Sequence, residues 1–297
     1  PAPAPAPPPA GPAPTNDMDV DGDDDGGWGE GVGDEVSPAL AATDAPADAL
    51  AASAAAAPAA AAPAAAAATE PEKQQERSAD DVARSREIAR SALQANRQEN
   101  DGRKPTVAII VCFRIQAGQR REQELQQFVP HMRAMMDKLK KEGEVEKYHI
   151  FVIQQRGSQD EDGIKFNRGK LLNIGFDISP PQFDTLIFHD VDLLPGEDLA
   201  PYYACYPRNP IHIASCWHQR GYTQNEKFFG GIVSFSRVHF QQINGYPNNF
   251  WGWGGEDEVL RDRCTHHRIE PAKVQVGSLV DIETNADGQT MDMDMKL

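Results

Sequence analysis

From residue 105 onward the chain is punctuated by short apolar runs rich in β-branched residues. They are "TVAIIVCF" (106–113), "YHIFVIQQ" (148–155), "DTLIFHDVD" (184–192), "IHIAS" (211–215) and "GGIVSFS" (230–236). Each has the length of a strand, and such runs read as strands buried on both faces. Between and after them lie stretches of helical composition, at about 121–141, 168–178 and 256–267. Strands alternating with helices predict an α/β fold with a mainly parallel sheet covered on both faces. Ligands of such sheets bind beyond the carboxyl ends of the strands. The ends of these runs are therefore where chemistry is to be sought.

The rest of the chain is of another kind. Residues 1–70 are Pro/Ala-rich and acidic, and cannot bury enough surface to offset the entropy of ordering; they read as a disordered tail. No Lys or Arg occurs before Lys73, and thirteen of the 45 acids lie before it. The remainder then carries 32 acids against 29 bases, a net charge of −3, so the overall −16 belongs mostly to the tail. A nearly neutral body gives no support for nucleic-acid binding, which needs a basic face. Asp21, Asp23, Asp25 and Gly26 have the opening spacing of a calcium loop. Val32 holds the place of its closing Glu, and the segment reads as a solvated acidic linker. Pro58 and Pro63 break the Ala-rich run 49–69, which is not a membrane span. Residues 71–104 have polar helical composition, with few apolar positions (Val82, Ile88, Leu93), and read as a stem, linker or surface helix. The folded domain is expected over 105–290. Cys112, Cys205, Cys216 and Cys264 form no CxxC pair and no zinc spacing, and read as buried thiols.

Three stretches carry chemistry. In "FHDVDLLP" (188–195) a buried strand ends in Asp190 and Asp192. A strand period of two puts both carboxylates on one side, which suits a hard divalent cation with oxygen ligands. The plain alternative is an exposed turn whose acids cap the next segment. In "NNFWGWGGEDEVL" (248–260) two tryptophans stand among three glycines. A tryptophan ring presents a flat apolar face to a sugar, and Gly252, Gly254 and Gly255 would let Trp253 swing as a lid. Glu256 and Asp257 follow at the first turn of a helix, where the dipole favours a carboxylate suited to general-base work. "FNRGK" (166–170) sets Phe166 to stack on a base and Arg168 to pair with phosphate. "CFR" (112–114) and "FFGG" (228–231) are weaker signals of the same kind.

Taken in order, "FR", "FNRGKLLNIGF", "FHDVDLLP", "FFGGIVSFS" and "INGYPNNFWGWGGEDE" resemble the β-1,4-galactosyltransferase family over roughly residues 105–285. The polypeptide GalNAc-transferases and chondroitin-type polymerases share a "WGWGGE"-like block but fit the others less well. The resemblance implies a GT-A (Rossmann-like) fold and inverting transfer from a UDP-sugar donor to a saccharide or glycoconjugate acceptor, with Mn²⁺ or another divalent ion such as Mg²⁺. It implies that Arg114, Phe166 and Arg168 hold the uridine diphosphate, with Asp190 and Val191 lining the nucleotide site. Asp192 is implied as metal ligand, and Trp253 as the mobile-loop residue closing over the donor. Glu256 and Asp257 would bind the sugars, with Asp257 as the base, and Phe228, Gly230 and Gly231 would lie against the donor pocket.

The sequence also departs from the family. Cys112 stands where the family usually has Pro, and the segment 115–121 is longer. Phe228 replaces a tyrosine that helps select galactose over N-acetylgalactosamine, so transfer of GalNAc is the rival reading. In the family a Met or His and a further His complete the metal shell. Laying residues 275–285 on that stretch puts Asp281 and Thr284 there. Asp281, with Glu283, is the expected oxygen donor, and a binding module without turnover is the third reading. Cys205 matches a family cysteine whose disulfide partner is Thr185 here, so no bridge is expected. His266 and His267 read as surface residues. The resemblance implies a Golgi lumenal enzyme on a type II anchor. None is visible, so either the anchor lies upstream of Pro1 or the protein is soluble or cytoplasmic.

Overall fold

The computed structural model describes residues 77–157, 163–217 and 228–283. The tail expected over 1–70, its acidic loop and Thr284 lie outside these residues.

Strand β1 (Thr106–Phe113) is the centre of the fold. Its side chains alternate between two cores, as the pleat requires. Val107, Ile109 and Val111 face a layer with Phe128, Met132 and Met136 of helix α2 (Arg121–Lys141). Ala108, Ile110 and Cys112 face a second layer with Leu171 and Leu172 of helix α3 (Arg168–Ile178). Both faces are covered, so an uninterrupted apolar run is stable there. On one side β1 pairs in parallel with β2 (Lys147–Gln154), and on the other with β3 (Thr185–His189).

The sheet is mainly parallel, as expected, with one reversed strand. Strand β6 (Ile232–Ser236) runs antiparallel to both β3 and β5 (Ile211–His212), and β5 is parallel to β7 (Ala272–Lys273). The order is β2-β1-β3-β6-β5-β7. The cause is local. Among the described residues, the only helices between β3 and β6 are α4 (Ala200–Tyr203) and a 3-10 turn (Ile213–Cys216), too short to cover a parallel crossover. That turn also shortens "IHIAS" to a two-residue strand. The Ser215 hydroxyl bonds the carbonyls of His212 (2.6 Å) and Val274 (2.8 Å), which draws the backbone out of the ladder.

Strand β3 likewise stops at His189 rather than running through Asp192. The Asp190 N–H donates to the Gly231 carbonyl (2.9 Å), and the chain turns into β4 (Leu193–Pro195). Strand β4 pairs antiparallel with β8 (Leu279–Asp281) in a separate two-stranded ribbon. Helix α1 (Ala79–Glu99) is capped by Ser78 and buries Ala89 and Leu93 in the α2-side core. Its Ser85 hydroxyl donates to the buried carboxylate of Asp198 (2.5 Å). Helices α5 (Arg237–Gln242) and α6 (Glu256–His266) complete the second layer. All four cysteines are free and buried. Burial pushes each thiol up to about 12. His266 and His267 are exposed.

Candidate active site

A cavity of about 400 Å³ opens at the carboxyl ends of β1 and β3. Every site residue expected from the sequence lines it except Gly230. Seven carboxylates (Asp190, Asp192, Glu256, Asp257, Glu258, Asp281, Glu283) face three guanidiniums (Arg114, Arg121, Arg168). Such an excess of negative charge would repel a diphosphate unless cations accompany it.

Arg168, the first residue of α3, organises one side. Its Nε donates to Asp190 Oδ1 (2.7 Å) and its Nη1 to Asp257 Oδ1 (2.7 Å), with Glu256 Oε1 at 3.6 Å. The helix start is set by Asn167, whose side chain caps Lys170 N–H (2.9 Å) and donates to the Asn248 carbonyl (2.8 Å). One turn on, Asn173 exchanges bonds with the Tyr246 backbone (2.8 and 2.9 Å). The cap residue Asn167 and Asn173 of α3 thus hold the segment that leads into the tryptophan loop. Burial pushes the Asp257 carboxyl up to about 6 against the pull of Arg168.

The tryptophan loop is shaped by its glycines. Gly252, Gly254 and Gly255 have φ of 92°, 92° and 91°, a region closed to most side chains. At Gly255 a Cβ would also come within 2.5 Å of the Phe250 ring. The Gly252 N–H donates to the Phe166 carbonyl (2.7 Å), which ties the loop to the start of α3. Trp253 is 54% exposed although it lines the cavity, so its ring covers little in this state. Beside Asp257, a Cβ at Gly230 would stand 2.3 Å from Oδ2. Only a glycine lets the backbone pass so close to that carboxylate.

Arg121, the first residue of α2, organises the other side, and no motif in the sequence marked it. Its Nη1 donates to Asp192 Oδ2 (2.8 Å) and Glu124 Oε2 (2.9 Å), and its Nη2 to Glu283 Oε1 (2.7 Å). Asp190 and Asp192 therefore serve different arginines, whereas strand alternation had put them together on one side. The strand ends before them, so a period of two no longer applies. Arg114 lines the same cavity, is buried, and donates to the carbonyls of Gly157 (2.9 Å) and Ile164.

The β4–β8 ribbon brings Asp281 opposite Leu193, and Ile282 N–H donates to the Asp192 carbonyl (2.8 Å). Asp192, Asp281 and Glu283 then line one cavity with oxygen donors only, a set whose chemistry fits a hard divalent cation. Among the described residues, no three metal-ligating side chains are already gathered in a ligating group.

The comparisons with known proteins agree with this geometry. Residues 61–206 match a family described as the N-terminal region of glycosyl transferase group 7, and residues 212–284 match one described as N-terminal domain of galactosyltransferase. The Drosophila β-1,4-galactosyltransferase 7 catalytic domain, solved in complex with xylobiose, is 34% identical, with a TM-score of 0.51 over 64% of this chain and 75% of that one. The chain belongs to the β-1,4-galactosyltransferase family. A mutant of the same Drosophila protein, solved with manganese, UDP-Gal and xylobiose, gives a TM-score of 0.50 over 61% of this chain and 71% of that one, also at 34% identity. By sequence, β-1,4-galactosyltransferase 7 of Drosophila melanogaster is 39% identical over 179 residues, 60% of this chain and 49% of the relative. β-1,4-Galactosyltransferase 4 of Cricetulus griseus is 36% identical over 167 residues, 55% of this chain and 44% of the relative. The chain spans about half the length of these curated relatives or less. The sheet order and the cavity described above are thus those of a GT-A galactosyltransferase-family member.

Proposed function

We propose that this chain is an inverting, metal-dependent galactosyltransferase, moving galactose from UDP-galactose to a sugar hydroxyl with β-1,4 linkage. The observation that carries the reading is the seat of Asp257. It stands in the first turn of α6, with Oδ1 held by Arg168 and Oδ2 over Gly230, in a cavity that the Trp253 loop borders.

In this reading Asp257 takes the proton of the acceptor hydroxyl as that oxygen attacks the anomeric carbon from the side opposite the departing UDP. A carboxyl pushed up to about 6 is still mostly ionised at neutral pH and is a stronger base than an ordinary aspartate. Arg168 keeps that carboxylate from rotating, and Glu256 beside it is suited to a sugar hydroxyl. Trp253, Phe166 and Val191 offer apolar surface to the donor, and closure of the tryptophan loop would exclude water that otherwise hydrolyses it. Arg114, which lines the cavity, would meet the uridine diphosphate. Asp192, with Asp281 and Glu283, would hold the divalent ion, Mn²⁺ or a harder cation such as Mg²⁺. That ion, when bound, would neutralise charge on the departing diphosphate. A Golgi lumenal location belongs to this reading. Among the described residues no helix is long and apolar enough to cross a membrane.

The test is UDP release by the full chain with UDP-galactose and UDP-GalNAc, with Mn²⁺ supplied or chelated, against a panel of monosaccharide acceptors. Xylosides come first, because the Drosophila relative was solved with xylobiose. Acceptor-stimulated release from UDP-galactose, abolished by chelation, is expected. A preference for UDP-GalNAc would reassign the donor at Phe228, whose ring lacks the hydroxyl of a tyrosine. UDP binding with no stimulated release from either donor across the panel would replace the transferase with a binding module.

A further inference from the structure

His212 carries the next step. It lies on β5, between β6, where it pairs with Val233, and β7, where it pairs with Lys273. The ring is fully buried, at 5.2 Å from Phe228 and 5.3 Å from Phe229. Its Nε2 is 2.9 Å from the Gly230 carbonyl. A carbonyl only accepts, so the N–H is on Nε2 and Nδ1 is the acceptor. Burial holds the imidazole neutral by pushing its pKa down to about 4. Among the described residues Nδ1 has no partner. A phenylalanine or leucine would fill the same space between two aromatic rings without leaving a buried acceptor unpaired. The Gly230 carbonyl also accepts the Ile232 N–H two residues on (3.0 Å); what only the histidine supplies is an N–H from the neighbouring strand β5.

Gly230 is also where the donor wall meets the proposed base. A Cβ there would stand 2.3 Å from Asp257 Oδ2 and 2.9 Å from Phe228 Cε2. Its neighbour Gly231, at φ 75°, accepts the Asp190 N–H (2.9 Å). The stretch 228–231 is thus held at two adjacent carbonyls, Gly231 by the strand-end aspartate and Gly230 by His212.

We propose that His212 is a positioning residue for sugar transfer, holding the Gly230 carbonyl so that the Phe228–Gly230 wall stands at a fixed distance from Asp257. The role rests on the transferase reading, because the wall would face the hexose of the donor rather than its nucleotide. Loss of the N–H lets the wall drift toward or away from the carboxylate. A displacement on the ångström scale is enough to cost one to two orders of magnitude in rate.

The test compares His212→Phe, which keeps an aromatic ring and loses the N–H, with His212→Gln, whose amide can still donate. UDP affinity is measured by calorimetry in each variant and controls for folding, the wall being assigned here to the hexose. The affinity gained on going from UDP to UDP-galactose reads the contact with the hexose and needs no turnover. Expected are wild-type UDP affinity in both variants, with kcat reduced about tenfold or more and the UDP-galactose increment lost in His212→Phe. His212→Gln should recover most of both. Equal impairment of the two variants, or wild-type values in His212→Phe, overturns the proposal. Should His212→Phe fail to bind UDP, His212→Asn takes its place, with a donor too short to reach Gly230 and the same expected losses. A wild-type chain that shows the hexose increment without turnover would refute the transferase reading and leave the positioning role to be judged on affinity alone.

Discussion

Two arginines stand on either side of the Asp190–Val191–Asp192 turn, and they are built alike. Each is the first residue of a helix, Arg168 of α3 and Arg121 of α2. A helix N-terminus disfavours a cation, and each is held by several carboxylates, most of them remote in the chain. Arg168 takes Asp190, Asp257 and the more distant Glu256. Arg121 takes Asp192, Glu124 and Glu283. The difference lies in what else could satisfy the acids. Those around Arg168 include the proposed base, which a metal ion would disable. Those around Arg121 include the proposed metal ligands, for which a divalent cation is an alternative partner. One arginine is a fixture of the site, and the other shares its carboxylates with the cation.

The comparison can be broken in several ways. The largest effect should come from the acid on the Arg168 side. Asp257→Asn keeps the shape and removes the base, so steady-state kcat should fall by about 10²–10⁴-fold. UDP affinity by calorimetry should stay near the wild-type value. A variant with a kcat within tenfold of wild type would remove Asp257 from the chemistry.

Next come the arginines themselves. Replacing either by leucine strands partly buried carboxylates, at a cost of about 3–5 kcal/mol when one partner of such a pair is lost. Calorimetric melting in chelator should show a comparable drop for Arg168→Leu and Arg121→Leu. Added Mn²⁺ should raise Tm in Arg121→Leu and leave Arg168→Leu low. Equal rescue in both, or none in Arg121→Leu, would erase the distinction between the two sides.

A pH profile sharpens the same point more gently. Burial pushes Asp257 up to about 6, and only its ionised form accepts a proton. The kcat/KM should therefore be lost as pH falls through about 6, declining about tenfold per unit below it. An acid limb near pH 4 would place the base in an ordinary solvated environment.

The smallest effect concerns the loop. Trp253 is half exposed, so Trp253→Ala should change stability by no more than about 0.5 kcal/mol in a denaturant titration. Donor hydrolysis without acceptor should nonetheless rise relative to transfer, since the ring would no longer shield the donor. A large loss of stability would mean that Trp253 is a core residue rather than part of a closing loop.

Much of the fold was legible because its signals are local. Strand β1 and helices α2 and α3 stand where periodicity and composition put them, with β2 displaced by one residue. The misreadings arose where a bond to another part of the chain or a side chain overrode local propensity. Ser215 bonds backward to His212 and turns "IHIAS" out of the sheet. The strand expected through Asp192 ends at His189, where backbone bonds to Gly231 take over. Of the site, the residues within motifs came together in one cavity. Arg121 and His212 were missed because neither stands in a motif of its own. A helix-initial arginine and a histidine in an apolar run have no local signature of function. Their partners lie far along the chain, Glu283 at 162 residues from Arg121 and Gly230 at 18 from His212.

By itself the sequence determined which segments are buried, which are strands and helices, and which side chains could carry metal, nucleotide and proton chemistry. These follow from the spacing of apolar residues, from glycine's freedom at positive φ and from intrinsic acidity, all local properties. Only the tertiary structure decided which carboxylate belongs to which arginine, where β6 reverses the sheet, and how closely Gly230 approaches Asp257. Those depend on the distance between residues remote in the chain, which packing sets and local pattern does not encode.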